Sequence, residues 1–298
     1  MKVLITGAAG WLARELATEL EARHELLLTD RVDPAEATVF VPGQLERRPA
    51  PLVTAWPYRR AEITDLPAMV AAAEGVDAIV HLAAITDGLP EHGPAIMEVN
   101  VVGTYVVFDA ARLAGVKRVL CASSINAFGT IYWRLSGRPA PSTAMPVDES
   151  FPAVPEDPYS LSKWCNEETA KAFHRAYGMT SAAFRFAGVW TPELYERHAA
   201  TMGPTAAWSD DLFQWVHVRD VVRGLRQALE CDSLPGSGVY TLGAADTRCP
   251  EPTMELLERL RPDLAATVDP PLDGRAPLLS IERARRTFDY DPQWRLGP

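Results

Sequence analysis

Residues 6–13 read Thr6-Gly7-Ala8-Ala9-Gly10-Trp11-Leu12-Ala13 and lie between a short apolar run and an amphipathic run. Residues 3–6 predict a buried strand, and leucines recur every four residues from 12 to 20, as on one helix face. Gly7 permits the tight turn between them, and Gly10 lets the main chain approach a pyrophosphate. The N–H groups that open the helix then point at the phosphates. The stretch predicts a dinucleotide-binding turn; an ordinary glycine turn is the alternative.

The same alternation of short apolar runs and helical runs continues along the chain. Further strands are predicted at 26–29, 78–82, 118–122, 181–186 and 239–242. Helices are predicted at 94–114, 158–177, 218–230, 253–260 and 281–288. Residues 31–57 and 129–157 are rich in proline and are predicted to be loops. This order predicts an α/β fold, a doubly wound parallel sheet of Rossmann type with helices on both faces.

The domain organisation follows from where this pattern weakens. We expect a dinucleotide-binding domain over residues 1–186 and a small C-terminal substrate cap over 187–298. Within the cap, residues of about 212–245 are expected to pack back on the first domain.

Composition excludes several classes of function. The 298 residues carry 29 Lys plus Arg against 39 Asp plus Glu, a net charge of −10, which argues against nucleic acid or an anionic membrane as partner. No apolar run approaches the roughly 20 residues that span a bilayer, and the N-terminal residues do not resemble a secretory signal. The cysteines are far apart, at Cys121, Cys165, Cys231 and Cys249. We therefore expect a cytoplasmic protein without disulfides or a metal site.

Asp30 ends the second predicted strand, 23 residues after Gly7. A carboxylate at this place accepts a hydrogen bond from the adenosine ribose 2′-hydroxyl and repels a 2′-phosphate. It therefore favours NAD over NADP. Arg31 beside it suits a 2′-phosphate, which keeps NADP as the alternative.

Three residues suggest chemistry at an alcohol. Tyr159 and Lys163 are four residues apart on a predicted helix and share one face. A nearby ammonium lowers the pKa of a phenol, which lets Tyr159 act as general acid or base near neutral pH. Ser124 follows a predicted strand, where its hydroxyl can orient a substrate oxygen. An exposed Tyr–Lys pair is the alternative, but beside the glycine turn the three residues predict an oxidoreductase site.

With these motifs the chain resembles the extended short-chain dehydrogenases/reductases, the NAD-dependent epimerase/dehydratase group. Further matching stretches are 63–66, 81–84, 99–105, 122–124, 185–190, 217–221 and 280–291. The resemblance implies catalysis by Ser124, Tyr159 and Lys163. The residues that it implies for the cofactor are Gly7, Ala9, Gly10, Trp11, Leu12, Asp30, Asp65, Leu66, Leu82, Ala83, Ala84, Asn100, Tyr159 and Lys163. The structural alternatives are a helix cap for Asp65, a polar helix residue for Asn100 and an ordinary strand histidine for His81.

Departures from the family pattern bear on the substrate. Ser124 is followed by Ile125 and Asn126, where dehydratases of the group carry an acidic pair. Only 31 residues (186–216) separate Arg185 from His217, which is little material for clamping a nucleoside diphosphate.

Residues 184–193 are similar to uronate dehydrogenases, in which the matching arginine meets the substrate carboxylate. The implied substrate contacts are Thr86, Ser124, Asn126 and Arg185. The alternatives are a buried ion pair for Arg185 and loop capping for Thr86 and Asn126. Trp133, Trp190, Trp208 and Trp215 either close the core of the cap or stack on a sugar.

We therefore expect an NAD-dependent oxidoreductase that acts on a secondary alcohol of a small sugar, sugar acid or polyol. An epimerase with transient oxidation uses the same residues, and a non-catalytic dinucleotide-binding regulator is a third possibility. The helix predicted at 94–114 is apolar nearly all round and is expected to neighbour the helix at 158–177. A helix that is apolar on two faces needs two partners, so we expect a homodimer.

Overall fold

The computed structural model describes residues 1–44, 46–129, 134–138 and 144–296, so Trp133 lies outside the described residues. In chain order the strands are β1 (Lys2–Thr6), β2 (Glu25–Asp30), β3 (Thr38–Val39), β4 (Arg48–Pro49), β5 (Tyr58–Arg60), β6 (Ala78–His81), β7 (Arg118–Ser124), β8 (Thr180–Phe186), β9 (Val189–Trp190), β10 (Val216–His217) and β11 (Ser237–Leu242). Seven form one parallel sheet in the order β11-β8-β7-β6-β1-β2-β5. Strands β3 and β4 form an antiparallel pair, and β9 and β10 a parallel pair.

The helices are α1 (Trp11–Leu20), α2 (Leu66–Ala73), α3 (Gly93–Ile96), α4 (Gly103–Leu113), α5 (Pro158–Tyr177), α6 (Pro192–Thr201), α7 (Val218–Glu230), α8 (Thr253–Leu260), α9 (Pro262–Ala265) and α10 (Glu282–Phe288). A π-helical segment, Met97–Val102, joins α3 to α4, so the uniform helix predicted at 94–114 is interrupted. Helix α5 begins and ends at residues that cap helices. Asp157 accepts a hydrogen bond from the N–H of Ser160 at its start, and Gly178 takes a left-handed φ of 67° at its end. Among the described residues, no helix is long and apolar enough to cross a membrane.

Both faces of the sheet are covered, as the predicted fold requires. Helices α1 and α7 pack together on one face, and α2, α4 and α5 pack in a row on the other. Apolar side chains fill each interface, for example Leu16 and Leu20 of α1 on the first face and Phe108 and Phe173 on the second. This arrangement confirms the predicted doubly wound sheet.

The chain order creates a crevice between β1 and β6. The chain leaves β1 for β2 and β5 on one side, then returns to β6 on the other side. Loops that leave the carboxyl ends of such neighbouring strands diverge, and ligands bind between them. Gly7 and Ala83 meet at this point: Gly7 has φ of 72°, and a Cβ there would lie 2.7 Å from the nitrogen of Ala83.

Several elements were missed by the apolar pattern, among them β3, β4, β5, α2 and α6. Strand β5 has three residues, two of them exposed arginines. Helix α2 lies in the segment before β6 and begins at a Leu-Pro pair after the cap residue Asp65. Helix α6 buries none of its residues, so it has no apolar stripe to find. Within the 212–245 region, β11 forms the edge of the main sheet and α7 lies against α1.

Candidate active site

The glycine turn presents main-chain donors and one carboxylate. Gly10 precedes α1 without a side chain to cap the helix, and the first turn of α1 holds no acidic residue. The N–H of Ala9 donates to Asp30 Oδ2 at 3.0 Å, and that of Arg31 donates to Oδ1 at 2.7 Å. Asp30 is therefore fixed beside the turn. These residues fit a dinucleotide, with phosphate at the start of α1 and a ribose hydroxyl at Asp30.

The opposite wall of the crevice is held by His81. Thr104 Oγ1 donates to the carbonyl of Asn100 at 2.5 Å, so it accepts from His81 Nε2 at 3.0 Å. His81 Nδ1 is then the acceptor for the hydroxyl of Thr6, at 2.7 Å. The N–H groups of Leu82 and Ala83 donate to that same Thr6 oxygen, at 3.2 and 3.4 Å.

Burial, with the charge of Lys163 second, lowers the pKa of His81 to about 3. A neutral histidine in one tautomer therefore ties β1 to β6 at the crevice. Leu82, Ala83 and Ala84 are half-buried directly after it.

Asn100 connects this wall to α5. Its Oδ1 accepts from the N–H of Ile85 at 2.8 Å, and its Nδ2 donates to the Ile85 carbonyl at 2.9 Å. Nδ2 also donates to Ser162 Oγ at 3.0 Å, and that hydroxyl donates to the carbonyl of Tyr159 at 2.7 Å. Asn100 is thus connected to the main chain of Tyr159 through the hydroxyl of Ser162.

Ser124, Tyr159 and Lys163 come together at the carboxyl end of β7. Tyr159 is hydrogen-bonded to Ser124, and Lys163 Nζ lies 5.5 Å from the centroid of the Tyr159 ring. Lys163 is buried and donates to the carbonyl of Ala122 at 3.1 Å. Burial lowers its pKa to about 8. The three predicted catalytic residues therefore form one cluster.

The protonation of Tyr159 differs from the sequence-based expectation. Burial raises its pKa to about 12, the hydrogen bond with Ser124 acts in the opposite direction, and Asp157 raises the pKa further. The prediction that Lys163 lowers the pKa of Tyr159 is therefore wrong for this structure. The ammonium is directed to the Ala122 carbonyl, and desolvation of the phenol dominates.

Arg185 binds a buried carboxylate that the motifs did not reveal. Its Nε and Nη2 donate to the two oxygens of Glu167, each at 2.8 Å, and both side chains are almost fully buried. Ser123 Oγ donates to Glu167 at 2.7 Å, and the ring of Phe128 covers the guanidinium at 4.1 Å. The structure thus favours the ion-pair alternative for Arg185 over an open fork for a substrate carboxylate. The sequence did indicate that Glu167 faces the site, because it continues the four-residue spacing of Tyr159 and Lys163 on one helix face.

The remaining predicted residues are spread around this centre. Asp65 caps α2, accepting from the N–H of Ala68 at 3.0 Å, and Leu66 is the first residue of that helix. Asn126 is buried and its N–H donates to Ser124 Oγ at 3.1 Å, whereas Thr86 is exposed. Trp190 of β9 and Trp215, just before β10, pack on each other with ring centroids 5.0 Å apart. Trp208 is half-buried against Phe213.

Comparison with known proteins places this geometry in a family. Residues 3–243 match the NAD dependent epimerase/dehydratase family. The chain belongs to that family. This confirms the predicted family, the enzyme class and NAD as the cofactor.

Individual relatives give a finer picture. Uronate dehydrogenase of Pseudomonas putida is 27% identical over 248 residues, which cover 83% of this chain and 77% of that one. L-arabinose 1-dehydrogenase (NAD(P)(+)) of Haloferax volcanii is 26% identical over 255 residues, covering 83% and 90%. The solved structure of a short-chain dehydrogenase/reductase superfamily protein from Agrobacterium tumefaciens with bound NAD shares the fold with a TM-score of 0.70. It is 24% identical, and the match covers 99% of this chain and 94% of that one.

Proposed function

We propose that this family member is an NAD-dependent dehydrogenase that oxidises a secondary hydroxyl of a small sugar or sugar acid. One observation carries the proposal: Tyr159 is hydrogen-bonded to Ser124 and lies one helical turn from the buried Lys163, beside the cofactor crevice. A phenol, a hydroxyl and an ammonium at one strand end suit proton removal from an alcohol.

Each residue has a distinct part in the proposed step. NAD, when bound, supplies the acceptor for the hydride. Tyr159 takes the proton of the substrate hydroxyl as a tyrosinate and becomes a neutral phenol, while Ser124 Oγ orients the oxygen that loses the proton. Lys163, the ammonium one turn further along α5, stabilises that tyrosinate before the transfer, against the effect of burial on the pKa of Tyr159.

The proposed cofactor residues surround the crevice. The glycine turn (Gly7, Ala9, Gly10, Trp11 and Leu12) holds the phosphates, and Asp30 holds the adenosine ribose. Asp65 and Leu66 flank the adenine, and Leu82, Ala83, Ala84 and Asn100 form the opposite wall.

A small substrate is supported by the size of the cap. The segment between β8 and β10 contains only β9, the short α6 and a turn, and Trp190, Tyr195 and Trp215 pack on one another within it. The relatives described above are named for uronate and L-arabinose, which carry no nucleotide. Thr86, Ser124, Asn126 and Arg185 remain the proposed substrate contacts, with Arg185 restricted to Nη1, the guanidinium nitrogen that has no hydrogen-bond partner among the described residues.

The test is a panel of uronates, aldoses, polyols and nucleotide sugars, each incubated with NAD while absorbance reports NADH. We expect net NADH with a small sugar or sugar acid. Isomerised product without net NADH would mean an epimerase instead. NAD binding without any turnover would favour the non-catalytic regulator.

We also propose a homodimer, based on an exposed apolar patch that we call the α4–α5 patch. Its side chains are between 36% and 56% exposed: Val102, Tyr105, Leu113, Leu161, Trp164 and Tyr177. The rings of Tyr105 and Tyr177 both pack on Phe173, at 5.3 and 5.4 Å, so the two helices share one continuous surface. A second copy of the same patch would cover it around a two-fold axis.

Light scattering after size exclusion tests the dimer. We expect a dimer mass for the wild type and a monomer mass for Trp164→Glu combined with Tyr105→Glu. Val53→Glu is the matched control, because Val53 is 93% exposed in the loop between β4 and β5. A monomeric wild type would contradict the proposal.

Two broader proposals complete the assignment. The four cysteines are free thiols, which supports a reducing compartment such as the cytoplasm. The second proposal is the division into a dinucleotide-binding domain, residues 1–186, and a substrate cap, residues 187–298. Strand β11 and helix α7 of the second part pack on the first, where β11 is the edge strand of the sheet.

A further inference from the structure

The carboxyl end of β7 is fastened to α5 by two side chains of that helix. Lys163 Nζ donates to the carbonyl of Ala122 at 3.1 Å. One helical turn further along, Glu167 Oε1 accepts from the hydroxyl of Ser123 at 2.7 Å. Both partners of this second hydrogen bond are buried. Two consecutive residues of β7 are therefore tied to the same face of α5.

Ser123 directly precedes Ser124, the hydrogen-bond partner of Tyr159. Successive side chains of a strand point to opposite faces, so Ser123 is held by α5 without occupying the hydroxyl of Ser124. Because adjacent residues share one planar peptide, a contact that fixes Ser123 also restricts the position of Ser124. Towards a tyrosinate, which carries no proton, Ser124 has to be the donor. The bond between Ser123 and Glu167 therefore bears on where that donor lies.

Arg185 supplies the positive charge that this arrangement needs. Its Nε and Nη2 donate to the two oxygens of Glu167, each at 2.8 Å, so the buried carboxylate is not left without a counter-charge. Arg185 is also the register neighbour of Ser123 across the β7–β8 pair. Its guanidinium lies 4.1 Å from the ring centroid of Phe128, in the turn that follows Ser124. One carboxylate thus joins α5, β7 and β8 around Ser124.

We propose that Ser123 is a positioning residue, which through its hydrogen bond to Glu167 holds the end of β7 where Ser124 meets Tyr159. The inference rests on the proposed function, because the position of Ser124 matters only if the cluster transfers a proton. Hydrogen bonds weaken steeply as their angle departs from linearity, and a displacement of about 1 Å in a reacting group can cost about 10²-fold in rate. Ser123 is buried against α5, so its effect on turnover has to pass through Ser124.

A double-mutant cycle separates positioning from a purely structural role. Its members are the wild type, Ser123→Ala, Ser124→Ala and the double variant. Ser123→Ala deletes one hydroxyl and leaves Glu167 paired with Arg185, so no buried charge loses its partner. If Ser123 acts through Ser124, its substitution has nothing further to disturb once the hydroxyl of Ser124 is gone.

Ser181→Ala is the matched control. Ser181 is a buried serine near the start of β8, and its hydroxyl donates to the Ala170 carbonyl of α5 at 3.1 Å. It therefore loses the same kind of strand-to-helix hydrogen bond, but at the opposite end of the sheet from Ser124. For each protein, kcat is measured at saturating NAD and substrate, with NAD affinity and stoichiometry by calorimetry and the thermal unfolding midpoint.

We expect Ser123→Ala to lower kcat about tenfold with NAD affinity and stoichiometry unchanged. In the Ser124→Ala background the same substitution should change kcat by no more than about twofold. Ser181→Ala should lower the thermal midpoint by as much as Ser123→Ala does and keep the kcat of the wild type.

Full kcat in Ser123→Ala would overturn the proposal. So would a tenfold loss that recurs in the Ser124→Ala background, because Ser123 would then act independently of Ser124. Either result, obtained with an active wild type, removes the role of Ser123 and leaves the proposed function standing. A wild type that oxidises no member of the substrate panel contradicts the proposed function itself, and the role of Ser123 with it.

Discussion

The proposed cofactor end and the proposed substrate end of the crevice are built from different kinds of chemical group. The cofactor end uses main-chain groups of neighbouring residues, around Gly7 and Gly10, with the carboxylate of Asp30 fastened to the same turn. The substrate end uses buried side chains from separate elements, such as Glu167 on α5 and Arg185 on β8. Substitutions that add side-chain volume should therefore do most damage at the cofactor end, and substitutions that change a charge should do most damage at the substrate end.

Tyr159→Phe should have the largest effect, because Tyr159 lies where the two ends meet. The change keeps the ring and deletes the hydroxyl, so turnover should fall by about 10²–10⁴-fold while NAD affinity changes little. Turnover is measured at saturating NAD and substrate. Tyr177→Phe, at the last residue of the same helix, is the matched control. If Tyr159→Phe retains activity close to the wild type, Tyr159 is not the proton acceptor.

The same contrast explains what the sequence predicts and what it does not. The glycine turn, Asp30 and the Tyr159–Lys163 spacing are local patterns, so they were predicted together with the parallel sheet. The partner of Arg185 was not, because Glu167 is 18 residues away and only the packing of α5 on β8 joins them. The raised pKa of Tyr159 likewise depends on burial, which the spacing of residues does not contain.

Glu167→Gln should destabilise the fold at the substrate end. The substitution keeps the shape but leaves the buried Arg185 without its counter-charge, and breaking a buried ion pair typically costs about 3–5 kcal/mol. Urea unfolding measures the loss.

Glu168→Gln is the matched control, because the neighbouring Glu168 pairs with Lys171 at 2.7 Å on the exposed side of α5. Exposed pairs contribute about 0–1 kcal/mol. Equal losses of stability in the two variants would contradict this prediction, because the buried Arg185–Glu167 pair would then contribute no more than an exposed pair.

Gly7→Ala should have the smallest effect of the three substitutions, and that effect should be confined to the cofactor end. The left-handed φ of 72° alone costs an alanine roughly 1–2 kcal/mol. In addition, the new methyl would lie 2.7 Å from the main-chain nitrogen of Ala83, which forces the two walls of the crevice apart. Gly75→Ala separates the two contributions, since Gly75 has φ of 69° and no atom within 4 Å of its Cβ position. Calorimetry should therefore show weaker NAD binding for Gly7→Ala alone, although both variants lose stability. Equal NAD affinity in the two would mean that the close approach of Gly7 and Ala83 does not shape the cofactor crevice.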